Sequence, residues 1–310
     1  MPDVRLGTRG SALALWQANW TKRELEKRWS GLTVQLVPIK TTGDKILDVP
    51  LAKIGGKGLF TKEIDEALLG GAIDLAVHSL KDVPFQLPDG IDIAAIPERE
   101  DPRDAFLSNG PKLHDLPAGA KIGTSSLRRQ VQLRHHFPSL NLVTLRGNVD
   151  TRLRKLASGE FDAIILAAAG LKRLGHEQRI TQILDDDIMI SAVGQGALAI
   201  VCRSADGSTR RLLEVLDDPA TRTAVTAERG LLRALGGSCQ VPVAGKARLL
   251  GERLTIKGLI ASLDGTRVIA EEQSGSADRP LELGLELGDK LLSMGAGEIL
   301  AEIAQHGAER

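Results

Sequence analysis

Hydrophobic and polar residues along the chain follow two different periods, and the switches between them predict the elements of the fold. The pattern predicts strands at residues 4–7, 32–39 and 73–77, and helices at residues 12–18 and 61–69. Ser11 stands where the N-cap of the first helix is expected. Strands that alternate with helices favour an α/β domain with a mostly parallel sheet.

A second round of alternation follows the charged, Pro-containing segment 98–104, which we interpret as a crossover between domains. This round predicts strands at residues 121–124, 142–145 and 163–167, and helices at residues 128–135 and 150–157. Ser125 or Ser126 would cap the first of these helices. A glycine-bearing turn at residues 193–197 then precedes a further apolar run.

The pattern breaks again at the Asp-Asp-Pro sequence of residues 217–219. Beyond it the pattern predicts a helix at residues 220–234, strands at 241–250, 254–263 and 267–273, and one long helix at 281–305. Strands followed by a helix favour a small α+β domain. We therefore predict three domains, formed by residues 1–97 with 194–216, residues 98–193, and residues 217–310.

Composition excludes several classes of protein. Hydrophobic residues make up 42% and charged residues 26% of the 310 residues, which is ordinary for a globular protein. No apolar run approaches the roughly 18 residues of a membrane helix. The first residues lack the apolar region of a signal peptide, so we expect a cytoplasmic protein. The two cysteines are too few for a disulfide framework, and the six histidines show no spacing typical of a metal site.

Charge is balanced overall but uneven along the chain. The basic window from Lys121 to Lys155 contains eight basic residues and one acidic residue, Asp150. A solvated basic face is the commoner explanation of such a run. Arginine outnumbers lysine here, however, and guanidinium groups suit bidentate binding of carboxylate or phosphate. The window is therefore a candidate anion-binding site.

A glycine-rich stretch is the first of four segments whose residue types suit chemistry. Residues 51–60 include Lys53 and Lys57, which can bring ammonium groups and backbone N–H groups to an anion. The spacing of a Walker A phosphate-binding loop is absent. A surface loop has the same composition, so both interpretations stay open.

The second segment, residues 78–84, follows the predicted strand 73–77 and places Asp82 beside Lys81. Ligands in open α/β sheets bind at the carboxyl ends of strands. A carboxylate there can protonate a leaving group or stabilise a developing cation. A solvated turn would have the same sequence features.

Two further strand–turn–helix junctions offer arginine side chains. Residues 123–130 place small hydroxyl residues at an expected helix N-terminus, followed by Arg128 and Arg129. Residues 145–152 repeat the arrangement at the next strand end, with Arg146. Backbone N–H groups and the helix dipole at such junctions favour anions.

Cys239 lies in the small-residue segment 235–242, where a thiol is sterically open. Such a thiol suits covalent attachment or nucleophilic chemistry. Cys202 lies in an apolar run and is expected to be a buried hydrophobic residue. Because most free cysteines are structural, Cys239 taken alone supports either interpretation.

These segments occur together, and in this order, in porphobilinogen deaminases. Further segments that match this family are residues 7–11 with 15–17, residues 98–104, 168–174 and 192–197. The chain resembles the family over about residues 4–245 and more weakly beyond them. Ser238 stands where members of the family commonly have glycine, but Cys239 itself is present.

The resemblance implies an α/β fold with two periplasmic-binding-protein-like domains around a cleft and a small α+β C-terminal domain. It implies a monomeric transferase of heme biosynthesis, hydroxymethylbilane synthase, that joins four porphobilinogen molecules head to tail and releases ammonia at each step. Growth would start on a dipyrromethane cofactor, attached through a thioether to Cys239. No metal is implied, because the amine of the substrate is its own leaving group.

The resemblance also implies which residues form the site. Catalytic roles would belong to Asp82, Lys81, Arg9 and Gln17. The cofactor would contact Cys239, Lys81, Asp82, Ser79, Thr124, Ser126, Arg128, Arg129, Arg146 and Gly147. The substrate would contact Arg9, Lys53, Lys57, Phe60, Arg146, Arg152, Arg173 and Gln195. The number of cations agrees with the chemistry, because each porphobilinogen carries an acetate and a propionate, and buried carboxylates need matched cations.

Two other functions are compatible with parts of the pattern. A binding protein of similar architecture would trap a small polyanion without catalysis, but such proteins are usually exported and would not need an open Cys239. A nucleic-acid-binding protein would use the basic window. The zero net charge, the 3% of aromatic residues and the absence of a DNA-binding motif argue against that function.

Overall fold

The computed structural model describes residues 3–45, 61–236 and 241–308. The residues in these ranges form two compact units. The first comprises residues 3–45, 61–100 and 197–222, and the second comprises residues 101–196, 223–236 and 241–308. Two of the passages between the units, at residues 100–101 and 196–197, lie within the segments that were predicted as a crossover and a turn, 98–104 and 193–197, and a further passage lies at residues 222–223.

Strands and helices alternate through most of the described residues. The strands are β1 (Val4–Thr8), β2 (Val34–Pro38), β3 (Leu75–Ser79), β4 (Ile91–Ala95), β5 (Asp104–Ser108), β6 (Lys121–Gly123), β7 (Asn141–Val143), β8 (Ala163–Ala167), β9 (Gln182–Ile183), β10 (Leu198–Arg203), β11 (Val243–Leu250), β12 (Arg253–Ala261) and β13 (Val268–Ser276). The α-helices are α1 (Ala12–Arg28), α2 (Thr42–Lys45), α3 (Lys62–Leu69), α4 (Leu127–His136), α5 (Val149–Ala157), α6 (Ala168–Arg173), α7 (Gly207–Glu214), α8 (Pro219–Ala234), α9 (Pro280–Leu291) and α10 (Gly297–Ala308).

The first unit is built on a five-stranded sheet with the order β2-β1-β3-β10-β4. Parallel pairs join β1 to β2 and β3, whereas β10 is antiparallel to β3 and β4, so β10 alone runs against the other strands of this sheet. Leu6 and Leu75 pack on one face together with residues of α1, and Ala76 and Val201 pack on the other together with residues of α3. Burial on both faces is typical of parallel strands and explains their continuous apolar runs.

The second unit contains a sheet with the order β7-β6-β8-β5-β9, in which β5 runs against the other strands. In each sheet the four strands other than the reversed one can be numbered in chain order. Across both sheets the spatial order is then second, first, third, reversed strand, fourth. In both sheets the reversed strand directly follows a passage between the units, since β5 comes after the passage at residue 101 and β10 after the passage at residue 197. The two sheets share this topology although the sequence shows no repeat.

A smaller sheet, β11-β12-β13, is antiparallel throughout and packs against α8, α9 and α10 within the second unit. Glycines allow α8 and α9 to approach closely, since a Cβ added at Gly284 would lie 1.9 Å from the Ala227 carbonyl oxygen. The turn between β12 and β13 contacts α4, because a Cβ at Gly265 would lie 2.7 Å from Cβ of Arg134. The Arg134 guanidinium also donates a hydrogen bond to the Leu263 carbonyl oxygen. This small sheet therefore supports α4.

The predicted α/β class and the small α+β C-terminal part are confirmed. Helices predicted from the first residues to 234 are present as α1, α3, α4, α5 and α8. The Ser11 hydroxyl caps α1 by accepting the Ala14 N–H at 3.3 Å. Ser126 is the N-cap residue of α4, but its side chain makes no capping hydrogen bond. The second and third sheets lie in one compact unit, and the division into three domains at the stated limits stays a prediction.

Three predictions of secondary structure were wrong. The long helix at 281–305 is interrupted by a π-helical turn, Leu292–Ala296, in which Gly295 has a φ of 103°, a conformation that favours glycine. The strand predicted at 73–77 begins two residues later, because the Ile73 N–H donates to the Ala67 carbonyl oxygen in the turn that ends α3. The pattern also missed β4, β5, β9, α2, α6 and α7, and it gave β10 only as an apolar run.

Segments 46–60 and 237–240 lie outside the described residues, and with them Lys53, Lys57, Phe60, Ser238 and Cys239. Within the described part of the chain, no helix combines the length and the apolar character needed to cross a membrane.

Candidate active site

A short turn after β3 positions Lys81 and Asp82. β3 ends at Ser79 and is followed by a single 3-10 turn. Leu80 in this turn is buried, and its N–H donates to the Ala197 carbonyl oxygen at 3.0 Å. Asp82 is exposed and Lys81 is half-buried. The turn is therefore fixed through its backbone and its apolar residue, while the carboxylate stays accessible.

A small pocket lies beside this turn. Its lining includes four residues predicted for the site, Arg9, Gln17, Ser79 and Asp82. Gln17 Nε2 donates a hydrogen bond to Ser79 Oγ at 2.8 Å, which joins α1 to the end of β3. Because β1 and β3 are adjacent and parallel, their carboxyl ends bring Arg9 close to the Asp82 turn.

His78 lines the same pocket and was not predicted as a site residue. It lies on β3, is 7% exposed, and its Nε2 atom has no hydrogen-bond partner among the described residues. Burial lowers the pKa of His78 to about 4, and the charge of Arg9 lowers it in the same direction. The imidazole is therefore neutral near pH 7.

A buried ion-pair cluster occupies the second unit, where α4 begins. Asp104, the first residue of β5, is fully buried and accepts hydrogen bonds from Arg128 and Arg129 of α4. Arg128 Nη1 donates to Asp104 Oδ2 at 2.7 Å and to the Ile190 carbonyl oxygen at 2.7 Å. Gln195 Nε2 donates to Asp104 Oδ1 at 3.0 Å and to the Pro102 carbonyl oxygen at 2.7 Å. Asp104 therefore holds three predicted site residues, Arg128, Arg129 and Gln195.

The electrostatics of this cluster leave an excess of positive charge. Burial by itself would raise the pKa of Asp104, but the charges of Arg128 and Arg129 hold it well below its ordinary value. Burial lowers the pKa of Arg129, and the charge of Arg128 adds to that effect. Two guanidinium groups thus share one carboxylate in a buried place. Such a place favours the approach of a further anion.

Arg152 extends the positive region from α5. Its Nε donates to the Gly147 carbonyl oxygen at 2.8 Å. Burial lowers the pKa of Arg152 to about 10, and the charges of Arg129 and Arg146 lower it further. Gly147 has a φ of 110°, and a Cβ there would lie 2.7 Å from the Thr151 side chain, so this turn requires glycine.

The remaining predicted residues are placed by backbone contacts. Thr124 is buried, and its Oγ1 accepts the Ser126 N–H at 3.3 Å. Arg173, at the end of α6, donates from Nη2 to the Gly196 carbonyl oxygen at 2.6 Å. No cluster of metal-ligating side chains occurs within residues 3–45, 61–236 and 241–308.

Asp104 and His78 are the two residues that sequence reasoning missed. Asp104 was interpreted as part of a charged crossover, yet it directly precedes the apolar residues 105–107, and an acid at the start of a buried strand signals a buried partner. His78 ends a run of buried residues, 75–77, which places an imidazole at the carboxyl end of a strand.

Comparison with known proteins identifies the family. The model of the "porphobilinogen deaminase, dipyromethane cofactor binding domain" matches residues 4–211, and that of the "porphobilinogen deaminase, C-terminal domain" matches residues 222–293. The chain belongs to the porphobilinogen deaminase family. The resemblance seen in the sequence is therefore confirmed, and the first match also assigns residues 4–211 to the domain that binds the dipyrromethane cofactor.

Curated relatives match along nearly the whole chain. The porphobilinogen deaminase of Geobacter sulfurreducens is 55% identical over 307 residues, which cover 99% of this chain and 96% of the relative. That of Syntrophobacter fumaroxidans is 53% identical over 301 residues, which cover 97% of each chain. Among solved structures, the methionine-binding protein MetQ is 14% identical, with a TM-score of 0.45 over 69% of this chain and 89% of MetQ. A structural likeness this weak does not establish a shared function.

Proposed function

We propose that this chain is a transferase, hydroxymethylbilane synthase. It condenses four porphobilinogen molecules head to tail into the linear tetrapyrrole hydroxymethylbilane, releases one ammonia at each step, and takes up one water molecule that supplies the hydroxyl group of the released product. The observation that carries the proposal is the grouping of Asp82 with Arg9, Gln17 and Ser79 around one pocket in a chain of this family. We further propose that the enzyme is cytoplasmic and monomeric.

The chemistry of the substrate explains why these residue types suit the pocket. Porphobilinogen is a pyrrole that carries an aminomethyl group, an acetate and a propionate. In each round the C–N bond of the aminomethyl group breaks, and the nitrogen takes up a proton and leaves as ammonia. The carbon left behind is an azafulvenium-like cation. It forms a C–C bond with a free pyrrole carbon, which then loses its proton, so one proton enters and one leaves in each round.

Asp82 is the group best suited to this sequence of charges. A carboxylate can accept the pyrrole N–H, assist proton transfer to the leaving nitrogen, and stabilise the cation that forms. Arg9, which lines the same pocket, would pair with a carboxylate of the substrate. Gln17 and Ser79, already bonded to each other at 2.8 Å, would offer neutral hydrogen bonds. Lys81 precedes Asp82 in the same turn and would add a cation.

The basic cluster of the second unit fits a polyanionic group such as dipyrromethane. Two pyrrole rings would carry four carboxylates. Arg128 and Arg129 together carry two positive charges, and the Asp104 carboxylate that they share neutralises one of them. Arg152 adds a guanidinium whose pKa is lowered by burial and by the nearby charges of Arg129 and Arg146. When bound, dipyrromethane supplies the pyrrole carbon to which the first unit is joined. We propose that Thr124, Ser126, Arg146 and Gly147 complete this site.

The remaining assignments are proposed on the resemblance. The thioether would form at Cys239, and Lys53, Lys57 and Phe60 would contact the substrate, although these four residues lie outside the described part of the chain. Arg173 and Gln195 donate to backbone and carboxylate oxygens beside the second passage between the units. We propose that both residues contact the substrate.

The intact mass of the protein tests the proposal. The parent, Cys239→Ala and Cys202→Ala should each be purified from a host that makes porphobilinogen. Cys202 is buried in β10, so its variant is the matched control. We expect the parent and Cys202→Ala to carry the mass of two linked pyrrole units and Cys239→Ala to carry none. A parent that stays unmodified after incubation with porphobilinogen, and that releases no ammonia from it, would contradict the function.

A further inference from the structure

The pocket beside Asp82 has an apolar part to which no role has been assigned. Leu13 and Ala14 on α1 and Val77 on β3 belong to its lining. Val77 is buried and Ala14 has only a methyl group, whereas Leu13 is half-buried and keeps accessible surface. Leu13 is therefore the largest accessible apolar side chain in the described lining of the pocket.

The periodicity of α1 directs Leu13 towards the pocket. Gln17 comes four residues later, so the two side chains lie on the same face of the helix. Gln17 Nε2 donates to Ser79 Oγ at 2.8 Å, and both of these residues line the pocket, which establishes where that face points. Leu15, two residues after Leu13, lies on another face of the helix and does not belong to the described lining.

The apolar core does not account for Leu13. None of the apolar clusters formed by the described residues includes it, although Ala18 and Leu25 of the same helix belong to one of them. A single leucine on an open surface would need no explanation. Leu13 instead lines a concave site, where binding of an apolar group would remove its side chain from water.

We propose that Leu13 is a further substrate-binding residue, which packs against one face of the pyrrole ring of porphobilinogen. The inference rests on the proposed function of this pocket. The two carboxylate arms, the aminomethyl group and the pyrrole N–H all leave the ring at its edge, so the charged and hydrogen-bonding residues account for the edge alone. The faces of the ring are apolar, and small-molecule sites cover such faces with apolar side chains.

Two variants separate the apolar character of Leu13 from the space that it fills. Leu13→Asn has a similar branched shape but is polar, and Leu13→Met is apolar. We expect Leu13→Asn to raise KM for porphobilinogen about tenfold with little change in kcat, because an apolar contact made throughout the reaction is lost. We expect Leu13→Met to stay within about threefold of the parent. Leu15→Asn is the matched control, since Leu15 is a half-buried leucine of the same helix, and it should leave KM unchanged.

An unreactive analogue of the substrate measures binding alone. A monopyrrole with both carboxylate arms, and with a methyl group in place of the aminomethyl group, has no ammonia to release, so its inhibition constant reports binding. This constant should rise about tenfold in Leu13→Asn and stay within about threefold of the parent in Leu13→Met and Leu15→Asn. Equal constants in the parent and in folded Leu13→Asn would overturn the inference and indicate that Leu13 only packs within the protein.

Thermal unfolding and ammonia release by the parent keep the outcomes distinct. If Leu13→Asn does not fold, Leu13→Ala tests the same contact with the same expected rise in KM, because alanine favours the helix. If the parent releases ammonia from porphobilinogen and the folded variant has an unchanged KM, only the inference about Leu13 fails. If the parent itself has no turnover, the proposed function fails.

Discussion

Arg129 donates two hydrogen bonds to a single oxygen of Asp104, from Nε at 3.0 Å and from Nη2 at 2.7 Å. The other oxygen of Asp104 accepts Arg128 Nη1 at 2.7 Å. Both oxygens of one buried carboxylate are thus engaged by adjacent residues of one helix. The carboxylate fixes the position of the guanidinium groups, and the charge that it leaves unmatched would attract a further anion.

Asp104→Asn should destabilise the protein by about 3–5 kcal/mol, because it leaves two buried guanidinium groups without a counter-charge. Urea unfolding would measure the loss in the free energy of unfolding. Asp185→Asn is the matched control, since Asp185 pairs with Arg103 at 3.4 Å and its side chain is 78% exposed. The control should change stability by at most about 1 kcal/mol. A loss no larger than that of the control would contradict the importance of the buried pair.

Acid should reduce the difference between the parent and Asp104→Asn. The pKa of Asp104 lies below its ordinary value of 3.8 in the folded protein. The stabilising contribution of the ionised carboxylate is therefore complete above the ordinary pKa and is lost as the pH falls towards the folded pKa. Unfolding curves at pH 7 and at successively lower pH values below about 4 would measure this. A difference that stays constant over that range would show that the charge of Asp104 does not act as described.

Asp65 should contribute to the pH dependence of stability with the opposite sign. Burial raises its pKa to about 6, above the ordinary value of 3.8, although the hydrogen bond with Thr61 lowers it. The ionised form is therefore costly in the folded state, and this cost is absent below pH 3.8 and complete above about pH 6. We expect Asp65→Asn to raise the free energy of unfolding by about 1–2 kcal/mol at pH 8 and to leave it unchanged below pH 4.

Glu66→Gln is the control for Asp65, because Glu66 is the next residue of α3 and its side chain is 65% exposed. It should change stability by less than about 0.5 kcal/mol at either pH. If Asp65→Asn lowered the free energy of unfolding at pH 8, the hydrogen bond from Thr61 would outweigh the cost of burial.

Asp82→Asn should reduce turnover by at least about a hundredfold while leaving the free energy of unfolding unchanged. Asp82 is exposed, so its replacement by a residue of the same shape costs little stability. Ammonia release by protein that already carries the covalent cofactor would measure turnover. Asp89→Asn provides the comparison, because Asp89 is an exposed acid shortly after the same turn, and it should keep full activity. Near-normal turnover by Asp82→Asn would contradict the role assigned to the carboxylate.

Gly284→Ala should destabilise the protein by about 1–3 kcal/mol or more, since the added Cβ would lie 1.9 Å from the Ala227 carbonyl oxygen and force α8 and α9 apart. Gly297→Ala tests the same substitution where space is available, because its Cβ would lie 3.9 Å from the nearest atom, in the Leu292 side chain. At that position the better helix propensity of alanine should leave stability unchanged or raised by up to about 1 kcal/mol. Equal effects at both glycines would show that helix separation is not limiting.

Local signals in the sequence predicted the strand–turn–helix junctions well. Ser11 before α1 and Ser126 before α4 have the residue type that N-caps favour, and both lie where they were expected. The continuous helix at 281–305 failed because its apolar pattern passes through Gly295 unchanged, and only the positive φ of that glycine breaks it.

Contacts between distant segments were beyond the reach of those signals. Asp104 meets Arg129 because β5 lies antiparallel to β8, which places Asp104 opposite Ala167. No local pattern specifies that pairing. The pocket residues Arg9 and Asp82 were assigned by resemblance, and their proximity depends on the parallel pairing of β1 with β3. Residues 46–60 and 237–240 lie outside the described part of the chain, so Lys53, Lys57, Phe60 and Cys239 remain predictions.

The late position of β10 in the chain sets an order of events during synthesis on the ribosome. The five-stranded sheet of the second unit ends with β9 at Ile183, so all five of its strands have been made before β10 begins at Leu198. β3 and β4, made about a hundred residues earlier, must wait for β10 to fill the gap between them. The inserted sheet can thus fold first. A nascent chain released before residue 203 would leave two open strand edges in its N-terminal half, where other chains could add.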